Sequence, residues 1–494
     1  MTGARSTEQP TDPSADFAGR SVVVAGLGVS GISAARALAA LGAEITVVDG
    51  GDDERRRARA EELRAEGISV RLGDGDTLPE GTGLILTSPG WPPTAPLFAA
   101  AAEAGVEVWG DVELAWRLRA LKHSQPAGWL AVTGTNGKTT TVRMLAEMLA
   151  AAGLRTAAVG NIGTPILDVV LSDEPYDVLA VELSSYQLHW APSLRTHSAA
   201  VLNLAPDHLD WHGSMAAYAA DKGRVYEGNQ IACVYNSADP ATEHLVRDAD
   251  VVEGCRAIGF TLGSPGPSEF GVVDGLLVDR AFVPDRQQQA QELAEVADLA
   301  PPSGHVAPHI VANALAAAAL ARAWGVPPEA VRDGLRAFRP DEHRIAHVAD
   351  VNGVAYVNDS KATNTHAAQA SLAAYESVVW IAGGLAKGAT FDQLVEGALP
   401  RLRGVVTLGQ DRELIREALS RHAPDVPVTD LERTDTEAMS AAVREATRLA
   451  KQGDTVLLAP ACASMDMFTN YGQRGEAFAA AVQELMESQD GVEG

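Results

Sequence analysis

The segment WLAVTGTNGKTTTVRMLAEMLA, residues 129–150, decides how the chain is read. An apolar strand-like run enters a glycine turn, which opens on Lys-Thr-Thr and a helix-periodic stretch. That is the strand–loop–helix setting of a phosphate-binding loop, where glycines let several backbone N–H groups face one point. The usual spelling is Gly-x-x-x-x-Gly-Lys-Ser/Thr. Here the position six before Lys138 is Val132, and the upstream glycine of the loop is Gly134. A purely structural corner has no use for a lysine at a helix mouth, where the helix dipole disfavours a cation. Gly134, Thr135, Asn136, Gly137, Lys138, Thr139 and Thr140 are therefore expected to hold the phosphates of a nucleotide. The hydroxyl of Thr139 or Thr140 is the expected oxygen ligand for Mg²⁺.

Downstream, YDVLAVELSSYQL ends a hydrophobic strand on Glu182, followed by Ser184 and Gln187, both able to hydrogen-bond a ligand. A carboxylate at the carboxyl edge of a sheet reads as a metal ligand or a base, with a helix N-cap partner as the alternative. The next strand, AAVLNL, leads into APDHLDWHG, which carries Asn203, Asp207, His208, Asp210 and His212. Some of these five belong to a site and some to a solvated loop. Lys222 lies one helix further on, and composition alone does not single it out.

Upstream, SVVVAG runs into GLGVSG, which is Gly26-x-Gly28-x-x-Gly31, and Asp49 closes the following strand. This arrangement suits a nucleotide or nucleotide-sugar diphosphate resting on a helix N-terminus, with Ser30 in the turn and Asp49 near the ribose. A tight strand-to-helix corner is the plainer reading, and the motif does not separate NAD from other such ligands. TSPG, with Ser88 and Gly90, ends another strand with residues small enough for a ligand to approach.

The chain has 494 residues, a length that suggests about three domains. Its formal net charge of −26 argues against nucleic acid or an anionic membrane as a partner. Three cysteines without Cys-x-x-Cys spacing fit neither a zinc site nor a disulfide framework, and point to a reducing cytoplasm. The N-terminal stretch carries no apolar signal core. Strand-like and helical segments alternate in three blocks, each expected to form its own sheet. The expected fold is α/β with three consecutive domains: an N-terminal Rossmann-like domain, a central P-loop ATPase-like parallel sheet and a C-terminal Rossmann-like domain. Their expected boundaries are a disordered lead-in over 1–18, then 19–124, 125–340 and 341–494, with a hinge at FRPDEHR (338–344). The stretches 262–271 and 285–305 read as surface loops or insertions.

TGTNGKTTT, VELSSYQL, NLAPDHLDWHG, the distal Lys222, PHIVANALAAAAL, EHR, NDSKATN and PACASMDMF follow one another as in the Mur ligases, which the chain resembles over essentially everything after residue 18. The shortened glycine loop is that family's own spelling. GLGVSG, NDSKATN and ACASMDMFTNYGQRGEAF resemble the D-glutamate-adding branch. The resemblance implies a cytoplasmic, monomeric enzyme that uses ATP to join D-glutamate to UDP-N-acetylmuramoyl-L-alanine through an acyl phosphate, with domain closure.

The resemblance also implies residue roles. Lys138, Lys222 and His208 would be catalytic. Thr139 and Glu182 would hold one Mg²⁺, and His208 with a carbamoylated Lys222 a second. Asn313 would meet the adenine and Arg344 the ATP phosphates. Gly28, Ser30, Gly31, Asp49, Ser88, Gly90, Asn161, Ser184 and Gln187 would serve the UDP substrate. Lys361, Thr363, Lys387, Ser464 and Tyr471 would surround D-glutamate, whose two carboxylates call for cations and hydroxyls. Leu385 stands where some members carry an acid before the Lys or Arg, a departure from pattern that bears on Lys387. A sibling ligase or a folylpolyglutamate-type synthetase stays open as the alternative. More distant are an NAD-dependent oxidoreductase, which leaves TGTNGKTTT without purpose, and a non-catalytic P-loop regulator.

Overall fold

The computed structural model describes residues 16–300, 306–339, 343–433, 435 and 437–490. Most of the expected lead-in, the centre of the expected hinge and the end of the 285–305 stretch lie outside the described residues. The chain divides into two compact units, one of Met1–Asp298 with Ala312–Phe338, the other of Leu299–Val311 with Arg339–Gly494. The α/β expectation holds, with three sheets.

The first sheet is wholly parallel. It comprises β1 (Ser21–Ala25), β2 (Glu44–Asp49), β3 (Ser69–Leu72), β4 (Leu84–Thr87) and β5 (Val108–Gly110), in the order β3-β2-β1-β4-β5. The strand order reverses direction at β1, and GLGVSG leaves the carboxyl end of that strand. In open α/β sheets that crevice is where ligands bind.

The second sheet comprises β6 (Gly128–Thr133), β7 (Thr156–Gly160), β8 (Val178–Glu182), β9 (Ser198–Val201), β10 (Ala232–Asn236), β11 (Arg256–Phe260), β12 (Glu269–Val273), β13 (Leu276–Asp279) and β14 (Gln291–Glu295). Its order is β14-β13-β12-β11-β10-β9-β6-β8-β7. Strands β7 to β12 pair in parallel, while β13 and β14 turn antiparallel. Here the surface-loop expectation needs correction, because 262–271 runs into β12 and 285–305 contains β14. Phe270, Leu277, Leu293 and Ala294 are buried, so these strands extend the core. The signal was weak because β14 is a five-residue edge strand, QELAE, whose two buried positions sit in a polar run.

The first two sheets share one apolar cluster, from Val22 and Leu38 through Val112 and Trp129 to Val181 and Leu188. Polar stitches reinforce it: Gly110 N donates to the Trp190 carbonyl at 2.9 Å, and Ser193 Oγ donates to Glu113 at 2.6 Å.

The third sheet comprises β15 (Ala346–Val351), β16 (Val354–Asn358), β17 (Val378–Gly383), β18 (Leu402–Leu408), β19 (Val428–Asp430) and β20 (Thr455–Leu458), in the order β15-β16-β20-β17-β18-β19. All pairs are parallel except β15 with β16. Central strands such as VVWIAG are buried on both faces, giving an apolar cluster on each side. No described helix is long and apolar enough to cross a membrane.

Candidate active site

The phosphate loop leaves β6, which lies between β8 and β9, so three adjacent strands deliver residues to one edge. The helix Lys138–Ala151 follows with Val142, Met144, Leu145, Met148 and Leu149 buried, which fixes its opening turn over the sheet. Gly137 caps that helix at φ +86°, and a Cβ there would come to 2.4 Å from Asn313 Oδ1. Glycine is required by both backbone and space.

Asn203, after β9, zips the loop in place. Its side chain accepts from Asn136 N at 2.8 Å and donates to the Asn136 carbonyl at 3.1 Å, while its own carbonyl accepts from Thr135 N at 3.0 Å. Thr135 Oγ1 is held by Ala205 N and by the Tyr218 hydroxyl, both at 3.0 Å. Lys138 Nζ donates to the Gly134 and Thr135 carbonyls at 2.9 Å each.

Lys222 reaches the same point. It sits on the helix Met215–Gly223, is 2% exposed, and donates from Nζ to the Gly134 carbonyl at 2.9 Å. The Tyr218 ring lies 4.7 Å from that nitrogen. Burial, and then the Lys138 ammonium, push Lys222 well below the usual lysine range, against the opposing pull of Asp207, Glu182 and Asp221. Taking an ammonium out of water costs on the order of several kcal/mol, so this amine is biased toward its neutral, nucleophilic form.

Glu182 ends β8 buried. Its Oε1 accepts from Asn161 Nδ2 at 3.1 Å, while Oε2 is buried with no hydrogen-bond partner. An orphaned carboxylate oxygen beside a phosphate loop fits Mg²⁺, a hard cation that takes a few carboxylate and hydroxyl oxygens and otherwise phosphate and water. Among the described residues no three His, Cys, Asp or Glu side chains converge to hold a metal unaided. Such an ion would lean on Thr139, Glu182 and the nucleotide itself. His208 adopts a left-handed backbone, φ +53°, at the start of the turn Leu209–His212, with its ring against Tyr186.

In the first sheet, Gly31 is packed so closely that a Cβ would lie 2.0 Å from the Gly26 carbonyl, whereas a Cβ on Gly28 would meet nothing within 4 Å. Gly31 serves the corner, and Gly28 is the glycine open to a ligand. Asp49 is engaged within the fold: it accepts from Leu27 N, Gly51 N and Arg56 Nε, each at 2.9 Å. Ser88 Oγ is buried without a partner against this turn. Ser184 and Gln187 form a capping box on the helix Ser185–His189. Gln187 and Ser30 both hydrogen-bond Asp111, whose carboxyl is raised by burial.

In the second unit Lys361 and Thr363, Lys387 and Ser464 lie on the loops after β16, β17 and β20, and Tyr471 opens the helix Tyr471–Asp490. Lys361 Nζ stands 3.9 Å from the Tyr471 ring centre. Leu385 pairs with Ala463 through two 2.9 Å backbone bonds, setting the Lys387 loop beside Ser464. Lys387 is left-handed at φ +49°. Buried Arg474 gathers these loops. It donates to Ser360 Oγ at 3.0 Å, the Ser360 carbonyl at 2.8 Å and the Cys462 carbonyl at 3.0 Å. Burial lowers it to about 10, so it stays charged at neutral pH. Burial, with His366 and Arg344 adding to it, pulls His309 down to about 4.

Three family profiles match in chain order: "Mur ligase MurD-like, N-terminal domain" over residues 20–110, "Mur ligase middle domain" over 132–321, and "Mur ligase, glutamate ligase domain" over 343–462. The UDP-N-acetylmuramoylalanine–D-glutamate ligase of Streptomyces coelicolor is 76% identical over 470 residues, spanning 95% of this chain and 99% of that protein. The chain belongs to the Mur ligase family. The ligase of the same name from Streptomyces avermitilis is 75% identical, again over 95% of this chain and 99% of its own. The MurF ligase of Thermotoga maritima, solved with ADP, shares the fold at a TM-score of 0.56 and 16% identity, over 97% of this chain and 98% of that one.

This Mur ligase thus brings Lys138, Lys222 and the loop together directly, and sets Asn313 against Gly137. Glu182 is joined to Asn161. A Cβ on Gly90 would meet nothing within 4 Å, and Thr363 N donates to the Lys361 carbonyl at 2.8 Å within its own turn. Sequence reading missed Asp111, Asp221 and Arg474 as individuals. Buried charge was the signal, and a lone acid or arginine within a helix does not display burial in sequence.

Proposed function

We propose that this Mur ligase joins D-glutamate to the L-alanine carboxyl of UDP-N-acetylmuramoyl-L-alanine with hydrolysis of ATP, in the cytoplasm and as a monomer. The convergence of Lys138, Lys222 and Asn203 on one loop, with Glu182 level with Val132 on the adjoining strand, carries the ATP half of the reading. The relatives named for D-glutamate ligation carry the amino acid.

In the first step a carboxylate oxygen of L-alanine takes the γ-phosphoryl group, and ADP leaves. In the second the D-glutamate amine attacks the acyl carbon, loses a proton and expels phosphate. Lys138 and the loop amides stabilise the phosphates through positive charge and N–H donors aimed at one point. Thr139 and Glu182 would hold one Mg²⁺, and His208 with Lys222 as its carbamate a second. Bound there, the ions offset charge among phosphates and carboxylates. The neutral Lys222 amine takes up CO₂ by forming an N–C bond and losing a proton, which turns an amine into an anionic oxygen donor. Gly28, Ser88 and the Ser30–Asp111–Gln187 link serve the UDP substrate. Lys361, Thr363, Lys387, Ser464 and Tyr471 serve D-glutamate, with Asn313 and Arg344 on ATP.

Phosphate release tests this reading. It is expected only when UDP-N-acetylmuramoyl-L-alanine and D-glutamate are both present. Equal turnover with L-lysine, diaminopimelate or L-alanine would reassign the chain to a sibling specificity.

A further inference from the structure

Asp221 is buried beside Lys222, yet no role above uses it. One of its oxygens accepts from His189 Nδ1 at 2.9 Å, the other from His212 Nδ1 at 3.0 Å. Arg224 Nε approaches it to 3.3 Å and donates through Nη1 to the His189 carbonyl at 2.9 Å. The opposite nitrogen of His212, Nε2, lies 2.9 Å from Ser185 Oγ. A carboxylate only accepts, so it fixes the His212 proton on Nδ1 and leaves Nε2 to accept from the serine hydroxyl. The His212 side chain is shut off from solvent. The chain of contacts resembles an acyl-transfer triad in order, but Ser185 is 2% exposed. Its consequence is positional.

The network members sit next to the proposed metal ligands. Lys222 directly follows Asp221, Glu182 lies three residues before Ser185, and His208 lies four before His212. One carboxylate therefore ties together the helix after β8, the turn Leu209–His212 and the helix Met215–Gly223. We infer that Asp221, acting through His212, His189 and Ser185, is a positioning residue that holds Lys222, Glu182 and His208 in register for catalysis. Tyr186 closes the same cluster, with its ring stacked on His212 at 5.6 Å and tilted on Trp211 at 4.6 Å. Catalytic groups held by packed and hydrogen-bonded neighbours lose rate steeply when that support loosens by about 1 Å.

The inference rests on the Lys222 carbamate reading for one of its readouts. The test compares wild type, Asp221→Asn, Ser185→Ala and Lys222→Ala, each full-length. Turnover is measured with ATP, UDP-N-acetylmuramoyl-L-alanine and D-glutamate, and the carbamate by ¹³C NMR in ¹³C-bicarbonate without nucleotide. Asp221→Asn is expected to lower kcat at least about tenfold while KM for ATP stays within about threefold, and to weaken the carbamate resonance. Ser185→Ala, the milder cut, is expected to lower kcat about threefold with an unchanged melting profile. Asp221→Asn with wild-type kcat and wild-type carbamate overturns the proposal. If Asp221→Asn does not fold, Ser185→Ala decides, and wild-type kcat there overturns it. A wild type without the resonance that Lys222→Ala abolishes refutes the carbamate alone. The kcat and KM split still decides the positioning role.

Discussion

The edge of the second sheet and the loops of the third sheet both gather charged side chains, but they hold them by opposite means. At the second sheet the loop's own backbone is the anchor: the Asn203 side chain bridges the N–H and carbonyl of Asn136, and both lysines end on the Gly134 carbonyl. At the third sheet one buried side chain, Arg474, fixes the loop carbonyls of Ser360 and Cys462 from the inside. A scaffold built from backbone suits a ligand whose phosphates ask for N–H donors. Loops pinned from inside by an arginine and by the Leu385–Ala463 pair can vary at their tips, which suits a pocket that selects one amino acid. Under the proposed function the first arrangement would serve chemistry and the second choice.

Breaking each region should therefore give different kinetic signatures. The largest effect is expected from Lys222→Ala, a loss of about 10³-fold in kcat with partial recovery by short carboxylic acids that replace the missing oxygens. An active Lys222→Ala would remove the reason for its burial. Next, Arg474→Lys keeps the charge but loses the guanidinium fork, and should raise KM for D-glutamate about tenfold while leaving KM for ATP unchanged. Equal rises in both constants would mean that Arg474 supports more than the third-sheet loops.

A paired glycine test sharpens the contrast within the first sheet. Gly31→Ala should destabilise the protein by about 2 kcal/mol, since its Cβ would strike the Gly26 carbonyl. Gly28→Ala should keep stability within about 0.5 kcal/mol and raise KM for the UDP substrate several-fold. Identical melting curves for the two would contradict the assignment of roles.

A pH-dependent probe of the third sheet is Asp359. Burial raises its carboxyl from 3.8 to about 6, against Ser371, Arg344 and Arg474. The folded form holds the proton more tightly than the unfolded chain, so this group's stabilising contribution is present below 3.8 and is lost as pH climbs to about 6. The full difference is about 3 kcal/mol. Asp359→Asn should flatten the fall in melting temperature across that window, and an unchanged slope would assign the titration elsewhere.

Much of this was legible in the sequence because the phosphate loop, β8 and the segment after β9 each announce themselves by an apolar strand ending on polar residues. What sequence could not supply was the crossover order β8-β6-β9, which makes Glu182 and Asn203 neighbours of one loop across a long stretch of intervening chain. Asp49 shows what spacing leaves out: it suggests a ribose ligand, and the structure adds that its two oxygens accept from Leu27, Gly51 and Arg56. Asp111, Asp221 and Arg474 stayed hidden because their importance lies in burial, and helices carrying one such residue read as ordinary solvated surfaces.

The division between chemistry and choice is tested most directly by trapping the acyl phosphate with hydroxylamine in the absence of D-glutamate. Lys361→Ala should form the acyl hydroxamate within about threefold of wild type yet lose at least about 100-fold in ligation, while Lys138→Ala and Lys222→Ala should lose both. Hydroxamate formation that collapses equally in Lys361→Ala would contradict the account.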